Sequence, residues 1–236
     1  MTPTTRFVLL AVTVVLLACS TGDPYIPDRD PVLLRANRRA EPAPRHHLVE
    51  ADRNGNRVYP NIENFLEGPA PTLTLYREPL TRDRVVEFYV QRAGSDEIAL
   101  PILYYADRLN ISLSLAFSLA WGESRFVPTA VNRNARSIDR GLFQLNSLTF
   151  RQLSEEDFFN PEVNTFHGLK FLEFCLQQGK DEAQALAIYN AGLTRVVRGQ
   201  TPLSTQRYVR QILAYREQLL SEFEQYILSH FPPHLA

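Results

Sequence analysis

The sequence has few of the residues that cross-link small proteins or bind metals. Only two of its 236 residues are cysteines. Cys175 lies in the apolar segment KFLEFCLQQG, where it has no partner for an intramolecular disulfide and is expected to be a small buried side chain. The sequence predicts no metal and no cofactor, because none of the histidines has the spacing of metal ligands. These histidines are His46, His47, His167, His230 and His234.

An excess of charge of either sign is also absent. The chain has 25 lysines and arginines against 26 aspartates and glutamates, a formal net charge of −1 at pH 7. No basic excess indicates nucleic acid as a partner, and no basic run indicates electrostatic binding to a membrane surface. Strand-type alternation of polar and apolar residues is missing too, whereas helix-type periodicity recurs. The predicted fold class is therefore mainly α.

The N-terminus has the pattern of a targeting segment. A short polar start is followed by the apolar run FVLLAVTVVLL, which is too short to span a bilayer as a mature helix. Small residues then precede Cys19, a pattern that resembles the bacterial lipobox. The resemblance implies a signal peptide over residues 1–18, lipidation of Cys19 and an anchor on the periplasmic side of the cell envelope, with Ser20 favouring the outer membrane. The alternatives are an ordinary secretory signal and an uncleaved anchor.

Two regions follow the signal peptide. Residues 19–75 are rich in proline and charge, with weak apolar periodicity, and are predicted to form a poorly structured tether. Residues 76–236 are predicted to form one helical domain. Its expected helices cover residues 81–94, 95–110, 112–124, 160–179, 181–192 and 206–231, and residues 128–140 are expected to be irregular and polar.

Three short motifs in the domain point to one family. Glu123-Ser124 ends an apolar helix, Gly141-Leu142-Phe143-Gln144 follows a polar loop, and Tyr189-Asn190-Ala191-Gly192 ends a later helix. In this order and at these separations, the motifs resemble the lytic transglycosylase domain of the lysozyme-like superfamily over about residues 95–220. The resemblance implies a lysozyme-like helical fold. It also implies that the partner is a peptidoglycan glycan strand, in which the β-1,4 bond between MurNAc and GlcNAc is cleaved with formation of 1,6-anhydro-MurNAc.

Glu123 is the predicted catalytic residue. Cleavage of a glycosidic bond needs a proton on the leaving oxygen, and a carboxyl group supplies one near neutral pH only if its pKa is raised. The apolar helix before Glu123 can raise this pKa, because a dry wall disfavours the ionised form. In the family's mechanism, the same group then acts as the base. The alternative is a surface glutamate that pairs with Arg125 or Arg133.

The resemblance also implies roles for the residues around Glu123. Ser124 and Gln144 would bind N-acetyl or hydroxyl groups, and Tyr189 would place its hydroxyl near Glu123. Asn190 belongs to the predicted substrate-binding set, although bracing of the loop is its simpler role. Gly141 is predicted to be structural, allowing the backbone to pass close to the sugar, and Tyr208 is a weaker candidate for the wall of the groove.

Asp139 leaves the outcome of the reaction open. The segment SIDRGLFQLNS also resembles the lysozymes proper, in which a second carboxylate lies two residues before the glycine. The alternatives to a transglycosylase are therefore a hydrolytic muramidase that uses Glu123 and Asp139, and a non-catalytic glycan-binding lipoprotein. The oligomeric state is not predicted.

Overall fold

A computed structural model describes residues 50–51 and 57–233 of the chain. The predicted signal peptide, Cys19 and most of the predicted tether lie outside these residues. The strands are β1 (Glu50–Ala51), β2 (Arg57–Val58), β3 (Val131–Arg133), β4 (Ile138–Arg140) and β5 (Leu145–Asn146). The helices are α1 (Ile62–Leu66), α2 (Pro71–Arg77), α3 (Arg82–Ala93), α4 (Asp96–Arg108), α5 (Leu113–Ser124), α6 (Glu155–Phe159), α7 (Pro161–Gln178), α8 (Glu182–Ala191), α9 (Leu193–Val197) and α10 (Leu203–His230).

Helix α5 is the central helix of the domain. Its residues are apolar or small on every side, and such a helix is stable only when it is surrounded by protein. Phe117 and Leu119 are completely buried in it, between α4 and the long helix α10. The helix ends where Arg125 adopts a left-handed backbone conformation with φ of 56°. The buried helix therefore stops sharply, directly after Glu123 and Ser124.

Helix α7 supports the loop between β4 and β5. The side chain of Asn160 caps the helix by accepting from two backbone amides, and Pro161 takes the first helical position, as the sequence predicts. One turn later, the fully buried Asn164 accepts from the amide of Phe143 at 2.8 Å and donates to the carbonyl of Arg140 at 3.0 Å. The loop is thus attached to α7 through one buried amide side chain.

Residues 128–140, expected to be irregular, contain two strands of a small sheet, and this expectation is corrected. Strands β3, β4 and β5 form an antiparallel sheet in which Asp139 pairs with Asn132 on one side and Asn146 on the other. Each strand has two or three residues. Strands this short are set by pairing with their neighbours, so no alternation pattern marks them in the sequence.

The predicted boundary between tether and domain also needs correction. Residues 57–75 contain β2, α1 and most of α2, and Ile62, Leu73 and Leu75 are buried in the core. The amide of Tyr59 donates to the carbonyl of Pro232 at 3.0 Å, which joins this segment to the end of α10. Its elements are short and interrupted by proline, so their apolar residues give no helical period.

Within the described ranges, no helix combines the length and apolar character needed to cross a membrane.

Candidate active site

One cavity collects residues from all three motifs. It has a volume of about 580 Å³ and lies at the C-terminal end of α5, between the small sheet and the C-terminal end of α8. Its walls are formed by Glu123, Asn132, Asn134, Asp139, Gln144, Leu145, Asn146, Thr149, Phe150, Phe171, Tyr189, Asn190, Ala191 and Gly192. The fold therefore brings together side chains up to about seventy residues apart in the sequence, in a space that is open to a ligand.

Glu123 has the environment of a neutral acid. Its side chain is largely withdrawn from water, and this burial raises the pKa of the carboxyl group to about 8. The hydroxyl of Tyr208 donates a hydrogen bond to Oε1 and lowers the pKa, whereas the charge of Asp139 raises it. Burial dominates, so Glu123 is mostly protonated at neutral pH.

Close packing of α5 on α10 holds Glu123 in place. Trp121 stacks on Tyr215 with ring centroids 4.0 Å apart and planes only 2° from parallel. A methyl group on Gly122 would meet a side-chain carbon of Ile212 at 2.6 Å. Three consecutive residues of α5, ending with Glu123, thus face three residues of α10, and the glycine permits the close approach that brings Glu123 to Tyr208.

Arg125 covers the other face of Trp121. Its guanidinium carbon lies 3.5 Å from the centre of the indole ring, and its side chain donates to the carbonyl of Trp121. Phe126 follows in a second left-handed conformation, with φ of 63°. Two consecutive non-glycine residues in this region are unfavourable on their own and persist only because surrounding contacts enforce them. The stack on Trp121 therefore fixes the sharp turn that ends the helix behind Glu123.

Gln144 lines the cavity with its side-chain orientation fixed. Its amide nitrogen donates to the carbonyl of Ala130 at 3.1 Å and to the carbonyl of Gly141 at 2.9 Å. Because both partners are acceptors, the nitrogen must face them, and the amide oxygen is the group left to accept from a ligand. Gly141 has φ of 79°, and a methyl group there would lie 2.2 Å from the amide nitrogen of Asn164. No other residue fits at this position.

Tyr189 lies in the same cavity as Glu123, but its hydrogen bond goes to another partner. Its hydroxyl donates to the carbonyl of Phe143 at 2.9 Å, and the hydrogen bond to Glu123 comes from Tyr208. Burial raises the pKa of both tyrosines well above the usual value, so both remain neutral donors. The signal for Tyr208 in the sequence was its spacing, because Tyr208, Ile212 and Tyr215 lie on one face of α10.

Ser124 and Asn190 are both engaged inside the protein. Ser124 is buried, its hydroxyl donates to the carbonyl of Ala120 within α5, and it is not among the residues that form the walls of the cavity. Asn190 lines the cavity, and its amide oxygen accepts from the hydroxyl of Thr205 at 2.7 Å. This hydrogen bond joins α8 to α10, which is the bracing role.

Asp139 lies in the same cavity as Glu123 and is surrounded by amides. Its carboxylate accepts from Asn134 at 2.7 Å, from Asn146 at 2.6 Å and from Asn132 at 3.4 Å. The three asparagines come from the two strands next to β4 and from the turn after β3. No pattern in the sequence marks this cluster, since strand pairing, not proximity in sequence, brings the amides together.

Cys175 and possible metal ligands are the remaining groups with reactive chemistry. Cys175 is buried and unpaired, and burial raises the pKa of its thiol to about 12, so it is not a nucleophile at neutral pH. In the parts of the chain that the structure describes, no three histidine, cysteine, aspartate or glutamate side chains form a group that could bind a metal ion.

A known protein family matches the part of the chain that forms most of this site. The family model of the Transglycosylase SLT domain matches residues 101–206, which include Glu123, Asp139, Gln144 and Tyr189. Residues 101–206 therefore form an SLT domain of the lysozyme-like superfamily, which confirms the resemblance seen in the sequence and the mainly α fold. The match supports an enzyme of the transglycosylase type that degrades peptidoglycan. No curated protein matches the chain.

Proposed function

We propose that the protein is a peptidoglycan lytic transglycosylase that cleaves the β-1,4 bond between MurNAc and GlcNAc and forms 1,6-anhydro-MurNAc. The observation that carries this proposal is Glu123, a carboxyl group with its pKa raised to about 8 in a cavity large enough for sugar rings. An acid with this pKa holds its proton at neutral pH and can still lose it during the reaction.

In the first step, Glu123 acts as the general acid. Tyr208 donates to Oε1, so the proton of the neutral acid is on Oε2. This proton passes to the oxygen that links MurNAc to the next sugar, the bond from that oxygen to C1 of MurNAc breaks, and positive charge develops at C1. Asp139, held as an acceptor among three amides in the same cavity, is placed to stabilise that charge electrostatically.

In the second step, the Glu123 carboxylate acts as the base. It takes the proton of the 6-hydroxyl of the same MurNAc while O6 forms a bond to C1. Glu123 is protonated again, the leaving sugar carries the first proton as a hydroxyl group, and no water is consumed. Attack within one sugar has a high effective molarity, which is why no nucleophilic carboxylate is required.

A specific observation favours a second candidate, hydrolysis. Glycosidases use two carboxyl groups with different protonation states, and the cavity holds the neutral Glu123 together with Asp139. In this reaction, Asp139 would act as the nucleophile or as the base for water. The products would then be reducing muropeptides, each one water heavier than its anhydro counterpart.

Product analysis separates the two reactions. Purified peptidoglycan sacculi would be digested with wild type and with Asp139→Asn, and the ends of the released muropeptides would be read by mass spectrometry. We expect anhydro ends, with a loss of activity of about tenfold or less in Asp139→Asn, whereas loss of a second catalytic carboxylate costs about a hundredfold or more. Reducing ends with an inactive but folded Asp139→Asn would overturn the transglycosylase in favour of the hydrolase.

We further propose that a lipid on Cys19 anchors the protein on the periplasmic side of the cell envelope, in the outer membrane. The support is the apolar run that ends in small residues at Cys19, and Ser20 after it. The variant Cys19→Ser should leave the membrane fraction, because one lipid-modified residue supplies the anchor. Fractionation after a high-salt wash checks this, and a variant that stays with the membranes would contradict it.

A further inference from the structure

The segment after the last motif is strongly basic. Residues 183–216 contain five arginines and no acidic residue, although the chain as a whole has a net charge of −1. Arg216 pairs with Glu182. The other four, Arg195, Arg198, Arg207 and Arg210, are exposed, and within residues 57–233 none of them forms an ion pair. The cationic groups of this segment are thus available to a ligand.

Two of these arginines lie on the segment that directly follows the cavity wall in the chain, and we call Arg195 and Arg198 the arginine rim. The cavity wall ends at Gly192, and α9 begins at the next residue, so Arg195 is about 4.5 Å along the helix axis from the wall. The amide of Gln200 donates to the carbonyl of Arg195 at 2.9 Å, which folds the Arg198 turn back onto α9.

We propose that the arginine rim binds the carboxylates of the peptide stems that branch from the glycan strand, so that stem-bearing strands are the preferred substrate. This inference rests on the proposed action on peptidoglycan. The stems carry free carboxylates and leave the sugar chain at each MurNAc, within reach of a cationic rim on the segment that follows the cavity wall. Guanidinium groups match carboxylates in charge and in planar geometry and can bind them through two parallel hydrogen bonds.

Binding measurements in an inactive background test the rim separately from catalysis. All variants would carry Glu123→Gln, and their affinity would be measured for intact sacculi by cosedimentation and, by competition with that binding, for the stem-free glycan strands that an amidase releases from sacculi. The test variant is Arg195→Gln/Arg198→Gln. The matched control is Arg57→Gln/Arg84→Gln, which removes the same charge. Arg84 lies near Tyr226, about 27 Å along α10 from Tyr208, and β2 with Arg57 is joined to the end of that helix.

The measured quantity is the preference, the ratio of the two dissociation constants. Without the rim substitutions, we expect about a three- to tenfold preference for intact sacculi, as exposed ion pairs are individually weak. The preference should fall to about one in the test variant and persist in the control. Equal preference in the test variant and the control would overturn the proposal that the rim binds stems. An unchanged preference together with weaker binding of the test variant to anionic lipid vesicles would overturn it as well. Neither outcome depends on whether Glu123 is catalytic.

Discussion

The helical wall and the sheet wall of the cavity each carry one carboxyl group, but they surround it differently. Glu123 ends a buried apolar helix, where lack of water favours the protonated form. Asp139 is on β4 of the small sheet, where three asparagine amides donate to its carboxylate. The comparison shows that the wall, more than the acid itself, decides whether a carboxyl group can act as a proton donor.

Removal of the acid from the helical wall should have the largest effect. Glu123→Gln keeps the size of the side chain and its hydrogen bond from Tyr208 but cannot transfer a proton. We expect release of soluble muropeptides from sacculi to fall by about a hundred- to ten-thousandfold, the usual contribution of a general acid. A folded variant, judged by circular dichroism, with near wild-type release would show that Glu123 is not the acid.

The same variant tests the state of Glu123 without any substrate. Between the ordinary carboxyl pKa and about 8, the folded protein keeps a proton on Glu123 that the unfolded chain releases. The unfolding free energy therefore falls as pH rises through this range. Since Gln does not titrate, Glu123→Gln should stabilise the protein more at pH 8.5 than at pH 5, as measured by thermal unfolding. An equal effect at both pH values would contradict a raised pKa.

Loss of the hydrogen bond from Tyr208 should have a smaller effect with a distinctive pH profile. Tyr208→Phe removes a donor to the ionised form of Glu123, and we expect a loss of activity of about tenfold. That donor lowers the pKa of Glu123, so its removal raises this pKa. The activity of wild type should fall as pH rises through about 8, and the fall should move to higher pH in the variant. Tyr189→Phe is the matched control, since its hydroxyl donates to Phe143, and it should leave this limb in place.

The smallest expected effect comes from the contact between α5 and α10. Gly122→Ala adds a methyl group that meets Ile212, and we expect a net destabilisation of about 1 kcal/mol, because crowding outweighs the gain in helix propensity. Activity should fall a few-fold as Glu123 is displaced from Tyr208. In the double variant Gly122→Ala/Ile212→Ala, the two losses of unfolding free energy should be less than additive. Ile212→Ala makes room for the new methyl group, and the methyl group fills part of the space that Ile212→Ala leaves. Strict additivity would show that the two residues do not press on each other.

Much of the helical wall could be predicted from the sequence. The apolar run before Glu123 identified a buried helix that ends on a carboxyl group, and Asn160-Pro161 marked the start of α7. These features follow from local chemistry, because burial of an apolar helix and capping by asparagine depend on residues close together in the chain. The order of the three motifs was sufficient to recognise the family, as the match of residues 101–206 to the SLT domain confirms.

Contacts between distant segments were decided only by the tertiary structure. The resemblance places the hydroxyl of Tyr189 near Glu123 and makes Tyr208 only a weaker candidate for the wall of the groove, but the hydrogen bond to Glu123 comes from Tyr208, 85 residues away. Ser124 belongs to the predicted binding set, and in the structure its hydroxyl donates to the backbone of α5. Which of two tyrosines reaches a carboxyl group depends on how closely two helices approach, and here Gly122 against Ile212 sets that distance.

The sheet wall marks the same limit most clearly. Asp139 was recognised by its place before Gly141, yet its three amide donors could not be, because they meet only through pairing of strands of two or three residues. Residues 57–75 likewise resemble a tether in the sequence, because only the folded structure buries their few apolar side chains and joins their backbone to the end of α10. The sequence by itself indicated the family of residues 101–206 and the central helix that ends with Glu123 and Ser124. The tertiary structure decided the protonation state of that acid and its partners, since burial and long-range hydrogen bonds exist only once the chain has folded.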